Sequence, residues 1–145
     1  MRVLVQRCDR ACVKVDGKIV GQIGMGVMIL VGITHDDDSK KIDYLVDKLI
    51  NLRIFDDENG VMNKSLLDVS GSILSISQFT LYADTRKGRR PSYVEAMSGD
   101  KAKALYDEFN EKLRNTGIKV ETGIFGADMK VDFINDGPIT IMLEK

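Results

Sequence analysis

The stretch Val13-Lys14-Val15-Asp16-Gly17-Lys18-Ile19-Val20 decides how this chain starts to fold. Three residues suited to a strand meet Asp-Gly, and three more follow. A two-residue I′ turn needs positive φ at both central positions, and Asp-Gly is among the pairs that tolerate it best. The chain therefore doubles back as a hairpin. Upstream, residues 2–8 and 11–15 alternate and carry Val, Leu and Cys, so both read as extended. Downstream, Gly24 and Gly26 punctuate a turn. Val27 to Ile33 is then a continuous apolar run, the pattern of a buried central strand.

Beyond that strand the period changes. Asp36-Asp37-Asp38-Ser39 opens a segment with apolar residues at Ile42, Leu45, Val46, Leu49 and Ile50, one face of a helix. Arg53 to Phe55 reads as a short strand, Asp56 to Gly60 as a polar turn, and Ser72 to Phe79 as another strand. Ser92-Tyr93-Val94-Glu95 matches a capping box and predicts a short helix. Asp100 to Asn115 is a second long helix, with Leu105, Phe109 and Leu113 on one face and Gly117 as its stop. Strands follow near 118–122, 129–134 and 138–143, with Asn135-Asp136-Gly137-Pro138 as the turn between the last two. The order gives a mixed α/β domain over residues 1–145, with both long helices on one face of the sheet.

Composition bounds what this domain does. Of 145 residues, 43% are hydrophobic and 30% charged, which suits a globular chain with a true core. The formal net charge is −1, so any nucleic acid must be met by a local patch. Cys8 and Cys12, four residues apart on an extended strand, would be separated by roughly 13 Å. A disulfide needs Cα atoms within about 7 Å. Both are expected as free thiols in a reducing compartment. Met1 to Arg10 has no run like a signal peptide, and the apolar stretch Met25 to Ile33 is too short to span a bilayer. The expected setting is the cytoplasm, without membrane attachment.

Much familiar chemistry is missing. His35 is the one histidine, and it reads as a polar residue at a strand end. Asp36-Asp37-Asp38 reads as carboxylates in a first helical turn, complementing the helix dipole, rather than as a magnesium site. No His/Cys cluster has zinc spacing, and no glycine-rich phosphate loop occurs. We expect neither a metal nor a bound cofactor.

Three segments remain. Ser77-Gln78-Phe79-Thr80 offers hydroxyls, but no histidine or lysine adjoins them, and a hydroxyl without a base is a poor nucleophile. On pattern alone it is a strand end whose hydroxyls cap nearby backbone. Gly137-Pro138 holds one of only two prolines, the other being Pro91. A cis peptide there cannot be read from pattern. Arg86-Lys87-Gly88-Arg89-Arg90 is either a solvated loop or a phosphate contact.

Taken together, these segments resemble the D-aminoacyl-tRNA deacylase family. The resemblance also includes Val5-Gln6-Arg7, the Asp16-Gly17 hairpin, Arg53-Ile54-Phe55, Arg90-Pro91-Ser92 and Ala104-Leu105-Tyr106. It continues through Thr122-Gly123-Ile124-Phe125-Gly126-Ala127-Asp128-Met129 and Asn135 to Thr140, so it covers essentially the whole chain.

The resemblance implies a three-layer α/β/β fold with barrel-like strands, forming a homodimer that hydrolyses D-aminoacyl-tRNA. It implies that Gly137-Pro138 is a cis pair inserted into the partner's active site, where rigid backbone rejects an L side chain. A glycine suits position 137 because a Cβ would intrude there. Glycyl-tRNA, with no side chain to reject, would also be processed. Ser77, Gln78, Phe79 and Thr80 would line the site, with the backbone N–H groups of Gln78 and Phe79 as oxyanion donors. Phe125 and Met129 would form pocket wall, and Arg7 would brace the partner's Gly137-Pro138. Arg86, Lys87, Arg89 and Arg90 would meet the tRNA backbone. Lacking a base for Thr80, the site is expected to use the substrate's ribose 2′-hydroxyl to help activate water. The competing readings are a non-catalytic nucleic-acid-binding module and a small-molecule esterase with Thr80 as nucleophile.

Overall fold

The first hairpin closes as its sequence predicts, with φ at 49° for Asp16 and 77° for Gly17. It joins β1 (Arg2–Val15) to β2 (Lys18–Ile23), with Val15 opposite Lys18. The computed structural model describes residues 1–145. β1 is one strand, where the sequence suggested two segments. Its polar, exposed Asp9 and Arg10 sit where the pairing slips rather than where the strand ends. β3 (Gly26–Gly32) then pairs antiparallel with the first half of β1.

α1 (Ser39–Ile50) buries Ile42, Leu45, Val46 and Leu49. The three aspartates precede it rather than occupy its first turn. Asp38 is the N-cap, its Oδ1 accepting from the N–H groups of Lys40 at 3.1 Å and Lys41 at 3.0 Å, a cap worth about 1 kcal/mol. Asp37 turns inward and meets the Met1 ammonium at 2.6 Å, with both side chains essentially buried. It also accepts the Thr34 N–H at 2.8 Å. Asp37 and Asp38 thus serve the chain's own N-terminus and backbone, while Asp36 pairs with the Lys41 ammonium at 2.8 Å.

β4 (Phe55–Asp56) and β5 (Met62–Lys64) form a small separate hairpin. β6 (Ser72–Ser77) runs parallel beside β3 and stops earlier than the sequence suggested. Phe79–Tyr82 instead coil into one 3-10 turn. The short helix expected at 92–95 does not form. Ser92 exchanges two backbone bonds of 2.8 Å with Asp84, and Ala96 bridges Thr34. The capping pattern is not followed by an apolar run that could bury a helix, so strand-like pairing wins. α2 (Gly99–Asn115) buries Ala102, Tyr106, Phe109 and Leu113. β7 (Val120–Thr122) lies parallel to β6.

The last 15 residues before the terminus form one strand, β8 (Lys130–Glu144), paired antiparallel to β1 along its length. The expected turn at 135–138 is a bulge inside it. Gln6 opposes Thr140 and Cys8 opposes Asn135, so the backbone of Asp136 to Ile139 has no counterpart on β1. The register can absorb this because the edge of β8 away from β1 pairs with no other strand.

The sheet order is β2-β1-β3-β6-β7, with β8 on the other side of β1. It has two faces and two cores. Val3, Val5, Val27, Ile29 and Val31 pack under both helices. Cys8, Ala11, Val13, Ile23, Met28, Leu74 and Ile76 form the second core, between the central strands and the strands folded over them. A Cβ on Gly21 of β2 would lie 2.8 Å from the Thr122 carbonyl of β7, so the sheet nearly closes into a barrel. Helices, central sheet and folded-over strands are the three layers of an α/β/β domain. Cys8 and Cys12 are both free thiols. No helix is long and apolar enough to cross a membrane.

Candidate functional site

β6 ends at Ser77 because the chain there leaves the sheet and enters the 3-10 turn. This exit forms one wall of a cleft of about 470 Å³. Ser77, Gln78 and Phe79 line it, as do Phe125 and Met129 from the loop before β8. Five of the residues expected in the site are thus brought together. The sequence reading missed the opposite wall: Met97, Ser98, Gly99 and Ala102 at the start of α2. No local signal marked these residues, because they reach β6 through contacts distant in sequence: the Met97 N–H bonds the Ile33 carbonyl at 2.8 Å, and Tyr106 of α2 donates to the Ser75 carbonyl of β6 at 2.8 Å. The lining is mostly apolar and includes the buried Val31, Ile33 and Ile76.

Backbone hydrogen bonding sorts the candidate donors. The Gln78 N–H is already committed to the Val31 carbonyl at 2.7 Å, so it is not available to an oxyanion as the sequence reading supposed. Phe79 and Thr80 begin the 3-10 turn, and the first N–H groups of such a turn have no carbonyl within it to bond. They are the main-chain donors the turn leaves over. The Leu81 N–H returns to the Gln78 carbonyl at 3.3 Å.

Thr80 is exposed and does not line the cleft. Its hydroxyl accepts from the Gln78 side-chain amide at 2.5 Å and has no base as partner. His35 is elsewhere engaged, its Nε2 lying 2.8 Å from the Val94 carbonyl. A carbonyl only accepts, so this nitrogen carries a proton. No group of three His, Cys, Asp or Glu side chains is placed to hold a metal ion.

The turn is clamped from outside. Arg2 Nη1 donates to the Leu81 carbonyl at 2.8 Å, its Nε meets Glu144 at 2.9 Å, and its guanidinium lies 4.5 Å above the Tyr82 ring. Burial, together with the nearby Asp37 charge, pushes the Tyr82 hydroxyl far above its ordinary range, so it stays protonated.

Gly137-Pro138 is a cis peptide at the crest of the β8 bulge, exposed and outside this cleft. Gly137 has φ of 110°. The bulge is held at its base. Asn135 Nδ2 donates to the Ile139 carbonyl at 3.2 Å. The buried Arg7 places Nε 2.7 Å from Asp136 Oδ2 and donates from Nη1 to the Ile54 carbonyl at 2.7 Å. The Nε–H does not point at the carboxylate, so the Arg7–Asp136 pair is held by charge more than by a directed hydrogen bond. Arg7 thus braces its own chain's bulge.

Arg86, Lys87, Arg89 and Arg90 sit on an exposed loop closed by the Asp84–Ser92 pairing. Arg86 is bidentate to Asp84, at 2.9 and 2.7 Å, and this guanidinium holds the Asp84 carboxyl down at about 2. The other three cations make no ion pair.

A family model described as D-Tyr-tRNA(Tyr) deacylase matches residues 4–144. The chain belongs to that family. The D-aminoacyl-tRNA deacylase of Bacillus cereus strain B4264 is 58% identical over 144 residues, covering 99% of each chain. Among solved structures, one titled c-Myc DNA Unwinding Element Binding Protein matches this deacylase-family chain with a TM-score of 0.94 and 42% identity. It covers 100% of this chain and 99% of its own. A probable eukaryotic D-amino acid tRNA deacylase shares the fold, with a TM-score of 0.85 at 23% identity over 98% of this chain and 97% of that one.

Proposed function

We propose that this protein hydrolyses the ester bond between a D-amino acid and the terminal ribose of tRNA, releasing both, and spares the L-aminoacyl ester. The observation that carries this reading is the full-length match to D-aminoacyl-tRNA deacylases. The cleft fits the chemistry. An aminoacyl ester is already activated, so the protein's task is to place it and stabilise a tetrahedral oxyanion. One preorganised donor of that kind is worth about 2.7–4 kcal/mol. The Phe79 and Thr80 N–H groups suit this role better than Gln78. With no base beside Thr80, the substrate's own 2′-hydroxyl helps activate the attacking water.

In the same reading the working unit is a homodimer in the cytoplasm. The exposed Gly137-Pro138 bulge of one subunit enters the other's cleft and turns away an L side chain. Glycyl-tRNA passes the same gate. Arg7 acts on this gate through its own chain's Asp136. Lys87, Arg89 and Arg90 contact the tRNA backbone.

The test is release of free tyrosine from D-tyrosyl-tRNA and L-tyrosyl-tRNA by the purified protein. Selective hydrolysis of the D form is expected. If neither ester is cleaved faster than in buffer, the reading is wrong, and the basic loop then favours a non-catalytic nucleic-acid-binding module. Cleavage of simple esters with acylation of Thr80 would mark a small-molecule esterase instead.

A further inference from the structure

Two large aromatic rings stand in water at the mouth of the cleft. Phe79 is 53% exposed and Tyr93 40%. Their centroids are 5.0 Å apart with planes at 70°, an edge-to-face pair. Phe79 lines the cleft, so Tyr93 extends an aromatic surface from it. The ring is not on a loose tip. The Ala96 N–H bonds the Tyr93 carbonyl at 3.0 Å, His35 Nε2 holds the Val94 carbonyl, and Thr34 Oγ1 donates to the Glu95 carbonyl at 2.6 Å.

Charge lies next to this surface. Ser92, which pairs with Asp84, directly precedes Tyr93 and closes the loop bearing Lys87, Arg89 and Arg90. These are three exposed cations within four positions, none neutralised by a carboxylate. A ligand that covers both features must present flat π faces and regularly spaced negative charge. Single-stranded RNA does so, and stacking on aromatic side chains tolerates any base.

We propose that Phe79 and Tyr93 form a stacking platform for the unpaired nucleotides just before the terminal adenosine of the tRNA, with Lys87, Arg89 and Arg90 taking their phosphates. The proposal deepens the deacylase reading and rests on it. It gives Tyr93 a role in holding the 3′ strand so that its end enters the cleft.

The probe is an acceptor-stem RNA hairpin with a single-stranded 3′ end and 2-aminopurine at the penultimate position. Stacking on the wild-type protein quenches its fluorescence. Tyr93→Leu keeps apolar bulk without a π face, and is expected to remove the quench and weaken binding about tenfold, the low end of one stacked base. Tyr93→Phe restores both. With charged tRNA, Tyr93→Leu raises KM about tenfold and leaves kcat within about twofold.

An unaltered quench and affinity in Tyr93→Leu overturns the platform. So does a change in its sedimentation, which would show that a second protein copy covers this face. A wild-type protein that cleaves D-tyrosyl-tRNA without quenching the probe loses the platform and keeps the deacylase reading. One that quenches the probe and cleaves neither ester keeps the stacking surface and loses the reading.

Discussion

Arg2 and Leu81, 79 positions apart, are joined by a 2.8 Å hydrogen bond from the guanidinium to the carbonyl. The same side chain lies over the Tyr82 ring and pairs with Glu144. One residue at the start of β1 thereby fixes the 3-10 turn whose first N–H groups are the proposed oxyanion donors. Arg2→Ala should lower kcat on the order of tenfold, because small misplacements at a distance are costly to a preorganised site. It should cost only about 1 kcal/mol in urea unfolding, since Arg2 is partly exposed. Arg2→Lys keeps a cation over the ring and should recover part of the rate. A kcat equal to wild type in Arg2→Ala would show that the turn holds itself.

Thr80→Val removes the hydroxyl that accepts from Gln78. With main-chain donors carrying the oxyanion, the loss in kcat should stay within about tenfold. A nucleophile would instead lose on the order of a thousandfold or more. Single-turnover kinetics on D-tyrosyl-tRNA separate these outcomes.

At Gly137 an added Cβ would lie 2.8 Å from Ile139 Cγ1 and 2.9 Å from the Ile139 nitrogen, at a φ that L side chains rarely adopt. Gly137→Ala should destabilise the fold by about 1–3 kcal/mol. It should also reduce hydrolysis of D-tyrosyl-tRNA on the order of a hundredfold. Urea midpoints and initial rates check the two parts, and a stable, fully active variant would remove the bulge from the site.

Reversing Arg89 and Arg90 to Glu should weaken tRNA binding and flatten its dependence on salt, because fewer counterions are released. Binding titrations across a range of salt concentrations read the slope directly. An unchanged slope takes the loop out of the RNA interface.

Burial pushes the Cys8 thiol up to about 11 from its ordinary 9.0. The native state therefore holds this proton more tightly than the unfolded chain. Stability tied to Cys8 is intact below pH 9 and falls as pH rises toward 11. Cys8→Ala should flatten that alkaline decline in urea midpoint. At pH 8, iodoacetamide should modify the half-exposed Cys12 well before the buried Cys8, as peptide mapping after brief labelling would record.

Some of this architecture was legible residue by residue. Asp16-Gly17 announced its hairpin because the turn's dihedrals are a local demand. α1 announced itself because its apolar spacing is written along one face. The bulge in β8 was hidden because Gly-Pro imitates a turn when read locally, while its true setting depends on how β1 pairs with β8. Asp9 and Arg10 looked like a break for the same reason. Likewise the capping box at Ser92 lost to pairing with Asp84, a contact no local rule contains. Of the residues expected at the site, Ser77 to Phe79, Phe125 and Met129 line one cleft, while Thr80, Gly137, Pro138 and Arg7 lie outside it. The α2 wall and the commitment of the Gln78 N–H to Val31 were not legible, because both arise between elements distant in sequence.

The bulge has one more consequence, for insertions and deletions. Ahead of it Val131 and Phe133 pack on the second core; beyond it Ile139, Ile141 and Leu143 pack under the helices. A strand alternates sides with every residue, so losing one residue between Asn135 and Thr140 would leave two outcomes. Either the crest shortens, or the tail slips by one and presents Thr140, Met142 and Glu144 inward. The slip would also carry Glu144 away from Arg2. This short segment should therefore resist length changes more than the exposed hairpin tip at Glu58 to Gly60, even though the crest of the bulge is exposed too.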